Sequence, residues 1–385
     1  MSEPAKHPAQ QPEGYQPKKP EMKLLEEAQD ETVQNSQPER SRVLSGVPRI
    51  FADQSHNYMF DECMWSLMQA LGEEARLDFP FFAAATGDLF TQLWVEPPWH
   101  YNDSLSNVCK DTLLPIRAAF VACGYDFDYI SREYVQGDKL AYTRHIVDSI
   151  DRGIPVLTFG IVGPPICSII TGYAEGGALL TGWAQFAGEH PEGEPFETHT
   201  TPGAFYIRDG LDESYALIFP KEKSAQTDLA QAYRLILRSI PGWINVPNDV
   251  QKECDAAVAP NKIYFGKAAF EKWADTYADG GMFPDESVLE KAADTYMSCM
   301  VQIGTNMHHM PEFLRRAETL CPDMKKLIRQ LRRRYAKLNA GLKGLTHFTG
   351  GFFFDAQKFL DEQFRAGLAK KIRKMGELYQ EVWEA

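Results

Sequence analysis

"GIPVLTFGIVGPPICSIITGYAEGG", residues 153–177, decides how the chain folds. Two apolar runs, 154–161 and 166–173, read as strands separated by a turn at 163–165. Proline fixes φ and has no N–H to give a ladder, so Pro164 and Pro165 belong between the strands. Gly176 and Gly177 allow the positive φ of a tight hairpin, which returns the chain along a third strand, 178–184. "GAFYIRD" and "SYALIFP" extend the sheet. The polar, proline-rich "AGEHPEGEPFETHTTPG" between them reads as an exposed loop beside it.

Upstream lies a helix over about 58–74, with Glu62, Ser66, Gln69 and Glu73 forming one polar stripe and apolar residues around the rest of its circumference. "FPFFAAATGDLFTQLWV" passes from helix to strand, and two further helices end at Gly124 and Gly153. Residues 1–45 are rich in Pro, Gln, Glu and Lys and cannot bury enough apolar area to offset their ordering entropy, which predicts a disordered tail. After Pro220 the pattern changes. "KEKSAQTD" is a linker, and the chain beyond it is helical, with Phe265, Ala269, Trp273 and Tyr277 stepping by four along one helix. The fold class is therefore α+β: a tail (1–45), an α+β domain (46–224) and an all-helical domain (225–385).

Composition narrows the function. The 385 residues are 44% hydrophobic, enough for sizeable cores. Fifty-three acids against 40 bases leave a net charge of −13, which argues against a nucleic-acid binder. No apolar run approaches the roughly 20 residues that span a bilayer, and the N-terminus has no apolar signal core. Seven cysteines without a C-x-x-C fit reduced thiols in the cytosol. The nine histidines show no chelating spacing, since His308 and His309 are adjacent and face different sides of a helix, so no metal or other cofactor is expected.

A buried helix, a long interval, then a strand–hairpin–strand ending in Thr171-Gly172-Tyr173 is the layout of the papain-like cysteine fold. On "MFDECMWSLMQALGE", "SIDRGIPVLTFGIVGPPICSIITGYAEGGALLTGW" and "GKAAFEKWADTY", the sequence resembles the butirosin-biosynthesis protein H N-terminal family, related to the bacteriocin-leader peptidases. The resemblance implies a cleft between helix 58–74 and strand 166–173, lined by Met59, Glu62, Ser66, Ile166, Tyr173 and Trp183. It also implies thiol-dependent acyl transfer from a carrier-protein thioester to an aminoglycoside amine.

The family's catalytic positions are not filled. Counting along its pattern puts Met59 at the nucleophile, Ile166 at the histidine, and Gly182 or Trp183 at the third position. Cys63 lies one helical turn beyond Met59, and Cys167 directly follows Ile166. Each reads either as a reactive thiol or as a small core residue. A Cys63–Cys167 pair facing each other would make a redox or metal site rather than an acyltransferase. His56, with Asp53 and Asp61, is the polar cluster next to Cys63 and a candidate base. Two functions are compatible with this: a catalytically degenerate domain binding a small molecule or peptide, or a thiol acyltransferase or amide hydrolase using Cys63. The basic run Lys325, Lys326, Arg329, Arg332, Arg333, Arg334 and Lys337 is either a solvated helix face or a docking face for an acidic partner. Carrier proteins are acidic helical bundles. The oligomeric state is not readable.

Overall fold

Buried β-branched and aromatic residues on both faces make "VLTF" a central strand, and the chain is organised around it. The computed structural model describes residues 40–50, 56–73, 75–96, 98–99, 104–108, 111, 113–163, 165–185, 187, 203–224, 228–245, 250–252 and 261–384. In chain order the first elements are β1 (Arg42–Val43), α1 (Met59–Ala70), α2 (Phe79–Thr86), β2 (Leu93–Glu96), α3 (Leu105–Val108) and α4 (Leu113–Cys123). Next come β3 (Tyr125–Ser131), α5 (Arg132–Gly137), α6 (Lys139–Asp151), β4 (Val156–Phe159), β5 (Cys167–Ala174), β6 (Leu179–Trp183), β7 (Ala204–Arg208) and β8 (Ala216–Lys223). The remainder are α7 (Leu229–Ile244), β9 (Val250–Lys252), β10 (Asn261–Phe265), α8 (Lys267–Ala278), α9 (Leu289–Leu320), α10 (Lys325–Thr349) and α11 (Glu362–Trp383).

The main sheet is antiparallel, in the order β3-β8-β4-β5-β6-β7, with β1 added against β5. The hairpin from β5 to β6 closes through Gly176 and Gly177 at φ +65° and +107°. A Cβ on Gly177 would lie 2.6 Å from the Thr143 side chain of α6, so this position needs glycine for space as well as for φ. The sheet divides two apolar cores. Val135, Ile146, Val147 and Ile150 of α5 and α6 pack on one face with Ile170, Tyr173 and Leu180. On the other face α1, α2 and α4 pack with Cys167, Ile169 and Ile218.

A bulge on β5 decides which residue faces which core. The pairing of β5 with β6 shifts between Ile170 and Gly172. Cys167 and Ile169 consequently face the α1 side, while Ile170 and Tyr173 face the α6 side. Strict alternation would have put Cys167 and Tyr173 on one face.

Two expectations are corrected here. Residues 225–385 are not all helical: β10 pairs with β2 (Ile263 opposite Val95) and with β9. Phe265 accordingly lies on a strand, and Gly266 at φ +58° breaks the four-residue rhythm before α8 begins. The change from sheet to helices does fall just after Lys223, yet the core is not interrupted there. Met64, Phe81 and Phe90 belong to the same apolar cluster as Tyr233, Trp273, Tyr296 and Ile372. The tail's expected end is also moved. Residues 40–45 carry β1, with Arg42 opposite Tyr173 and Leu44 N–H donating to Thr171 at 2.8 Å. A two-residue strand carries no periodicity to read. The rest of that tail lies outside the described residues, as do Asp53, Pro164 and most of the loop between β6 and β7.

Candidate functional site

α1 enters the interior at its N-terminus, with Asp61 and Glu62 in the first turn, where the helix dipole favours acids. One turn's rotation then sets Cys63 against the start of β5. Cys63 is 0% exposed and Cys167 1%. The Cys63 thiol lies against Cys167, and both cysteines are free thiols. Burial first, then the Cys167 contact and the Glu62 carboxylate, push the Cys63 thiol well above the usual thiol range. A thiolate is disfavoured from every one of these directions.

His56 faces elsewhere. Its Nδ1 lies 3.0 Å from Oε2 of the buried Glu62. Its ring stacks on Phe79 with centroids 4.4 Å apart and tilts against His309 at 5.1 Å. The imidazole is thus oriented by a carboxylate, as in a catalytic dyad, but its carboxylate-bound edge is not presented to a sulfur. His56 is 28% exposed at its side chain, so it is the part of this cluster that reaches solvent.

Behind the thiols lies a feature that no pattern in the sequence singles out. Thr86 Oγ1 is 3.3 Å from Asp61 Oδ2 and 3.3 Å from Asp88 Oδ2, and all three residues are buried. Asp88 also accepts the Leu105 N–H at 2.6 Å. Asp61 Oδ1 has no partner among the described residues. One hydroxyl hydrogen cannot serve two carboxylates. Burial first, and next the charge of Asp88, hold the Asp61 carboxyl well above its usual range, which favours its protonated form. The Thr86 hydroxyl also has the Phe82 carbonyl as a nearer acceptor, at 3.0 Å, so the two carboxyl groups compete with it for one hydrogen. The only hint in sequence is Asp88 directly after the Gly87 that ends α2.

The residues expected to line an open cleft do not share one. Met59, Glu62, Ser66 and Ile166 are buried under protein. Ser66 donates to the Pro48 carbonyl at 2.6 Å, and Ile166 sits in the core beside the thiols. Tyr173 belongs to the opposite core because of the bulge, and its hydroxyl donates to Asp151 at 2.8 Å. Trp183 pairs with Ile169 across β5–β6 and is half-buried. The structure therefore brings together Cys63, Cys167 and Asp61, sets His56 on Glu62, and leaves Tyr173 apart.

A search of protein-family profiles and one of curated proteins found no match to this chain.

A second polar seam ties α9 to this region. Tyr58 donates to Asn306 Oδ1 at 2.7 Å, and Asn57 donates to Thr305 at 2.8 Å. Gln302 Oε1 accepts from Gln92 Nε2 at 2.7 Å and from the Leu93 N–H at 3.2 Å. A cavity of about 20 Å³ beside it, bordered by Thr91, Asn306, Tyr335 and Tyr379, has room for about one water and none for a substrate. Among the described residues, no three His, Cys, Asp or Glu side chains are placed to hold a metal ion. No helix among them is long and apolar enough to cross a membrane.

Proposed function

We propose that the chain is a catalytically degenerate, papain-like protein that works by binding a small molecule or a peptide. One observation carries this reading: the Cys63 thiol is shut into the core against Cys167 and the Glu62 carboxylate, where attack on a carbonyl needs an exposed thiolate and a paired imidazole. The partly exposed His56, framed by Phe79 and His309, is the place where a ligand can still meet the former cleft. The cysteine usage suits a reducing, cytosolic setting. The family resemblance adds an acidic carrier protein, here as a binding partner and not as an acyl donor.

The test is a thermal-shift measurement on the full chain with a panel of aminoglycosides and short peptides. A rise in melting temperature with a panel member, lost in His56→Ala, supports binding at this mouth. A parallel acyl-thioester pulse followed by mass spectrometry addresses the other activity. A stoichiometric acyl adduct on Cys63, absent from Cys63→Ser, would overturn the reading in favour of a thiol acyltransferase or amide hydrolase.

A further inference from the structure

α10 carries Lys at its first two positions and Lys or Arg throughout its N-terminal half, and no Asp or Glu anywhere, in a chain of net charge −13. Part of that charge is matched within the fold. Glu318 of α9 binds Arg329 at 2.7 Å and Arg332 at 2.8 Å, and Arg334 donates to the Glu381 carbonyl of α11. Lys325, Lys326, Arg333, Lys337 and Lys343 have no ion pair among the described residues, and all five are exposed. We infer that this solvent face of α10 is a docking surface for an acidic helix of a protein partner.

Two physical costs show that the charge is not there to stabilise the helix. Lys326, Arg329, Arg333 and Lys337 succeed one another at three- and four-residue spacing, where like charges repel. Lys325 and Lys326 also occupy the first turn, at the positive end of the helix dipole. An anionic partner relieves both.

The shape of the face selects the kind of partner. Ile328, Leu331, Tyr335 and Leu338 turn inward, and the exposed line continues past Lys337 through Ala340 to Gly344. Small residues there let a second backbone come close. Cations repeating once per turn, about 5.4 Å apart along the axis, match carboxylates at four-residue spacing on a facing helix. A long polyanion fits less well, because beyond this one helix the chain is still more acidic than its total charge suggests. A lipid surface would call for aromatic anchors along the strip, and the exposed Phe353 stands beyond the end of α10, past Gly350. The inference extends the partner half of the proposed function and does not involve the thiols, so each can fail without the other.

The probe is a labelled, helix-forming peptide of about 20 residues with Glu at four-residue spacing, titrated with the full chain and read by fluorescence anisotropy. Binding should weaken by about tenfold or more in Lys326→Glu/Arg333→Glu/Lys337→Glu, and again on raising salt from about 50 to about 500 mM. A scrambled peptide of the same charge, interrupted by proline, should bind about tenfold less tightly. Should the Glu variant lose helix by circular dichroism, the corresponding Gln variant carries the comparison. No binding of the helical peptide, equal binding by the variant, or equal binding of the scrambled peptide overturns the proposal. So does tighter binding of phosphatidylserine vesicles or of a single-stranded RNA at the same ionic strength.

Discussion

Asp61 and Asp88 share a single hydroxyl, that of Thr86, 3.3 Å from each, and neither carboxylate reaches solvent. Burial and the charge of Asp88 both favour the protonated form of Asp61, and this gives the fold a pH dependence.

The unfolded chain releases the Asp61 proton near pH 4, and the folded protein holds it to higher pH, chiefly through burial. The stabilisation is therefore complete in acid below about pH 4 and declines as pH rises through the folded pKa. Asp61→Asn keeps a donor and an acceptor but cannot ionise. Calorimetry between about pH 5 and 9 should show a flatter profile for the variant than for the parent, with the difference growing toward alkali. Parallel profiles would mean that burial does not hold the Asp61 proton in the fold.

The closed thiol pair predicts chemical silence. Native protein exposed briefly to iodoacetamide at neutral pH should carry no label on Cys63 or Cys167, while the same pulse in urea labels both. Cys63→Ala should cost about 1 kcal/mol as a small core cavity. Rapid native labelling of Cys63 would contradict the buried geometry.

Gly176 and Gly177 should respond unequally to valine. At Gly176 the added Cβ meets nothing within 4 Å, so the cost is that of the positive φ alone, about 1 kcal/mol. At Gly177 the Cβ would also press on Thr143 and Val147 of α6, at 2.6 and 2.9 Å, raising the loss to about 3 kcal/mol. Urea denaturation of the two variants tests the order, and equal losses would refute the packing of the hairpin on α6.

Gln302→Leu should remove about 2 kcal/mol, because it takes the shared acceptor from the Gln92 amide and the Leu93 N–H, leaving the amide its longer 3.4 Å bond to the Leu93 carbonyl. Adding Gln92→Leu should recover part of the loss, since one orphaned donor disappears with it. A double variant with the summed cost of the two singles would show that the α9 seam is not coupled.

The hairpin was legible because glycine pairs and prolines announce turns directly. The bulge carried a quieter signal: Gly172 lies inside an otherwise apolar strand, where a Cβ would come 2.7 Å from the Arg42 carbonyl of β1. Strict alternation through it assigns Tyr173 to the cleft side. The β2–β10 pairing could not be read, because neither strand exceeds five residues and Phe265 happens to fall in step with the helix after Gly266. In the site, the thiol residues were identifiable by type, and Glu62 and His56 by nearness in sequence. That Cys63 and Cys167 touch depends on the rotation of α1 and the register of β5 together. Asp88 and Gln302 gained their roles only through contacts across long chain separations, which no local pattern encodes.

Arg42 and Val43 do more than add two residues to the sheet. They occupy the flank of β5 just past Ile170, where its pairing with the first residue of β4 stops, and Arg40 clamps them there through Asp151 and the Gly176 N–H. A cut after residue 45 would leave that stretch of β5 with bare backbone donors and acceptors in solution. Such a flank recruits whatever extended chain is nearest, above all another copy of the same protein. The short strand β1 therefore acts as a guard against self-association. A cut before Arg40 should leave a well-behaved protein, and a cut after Leu44 one that clumps as its concentration rises.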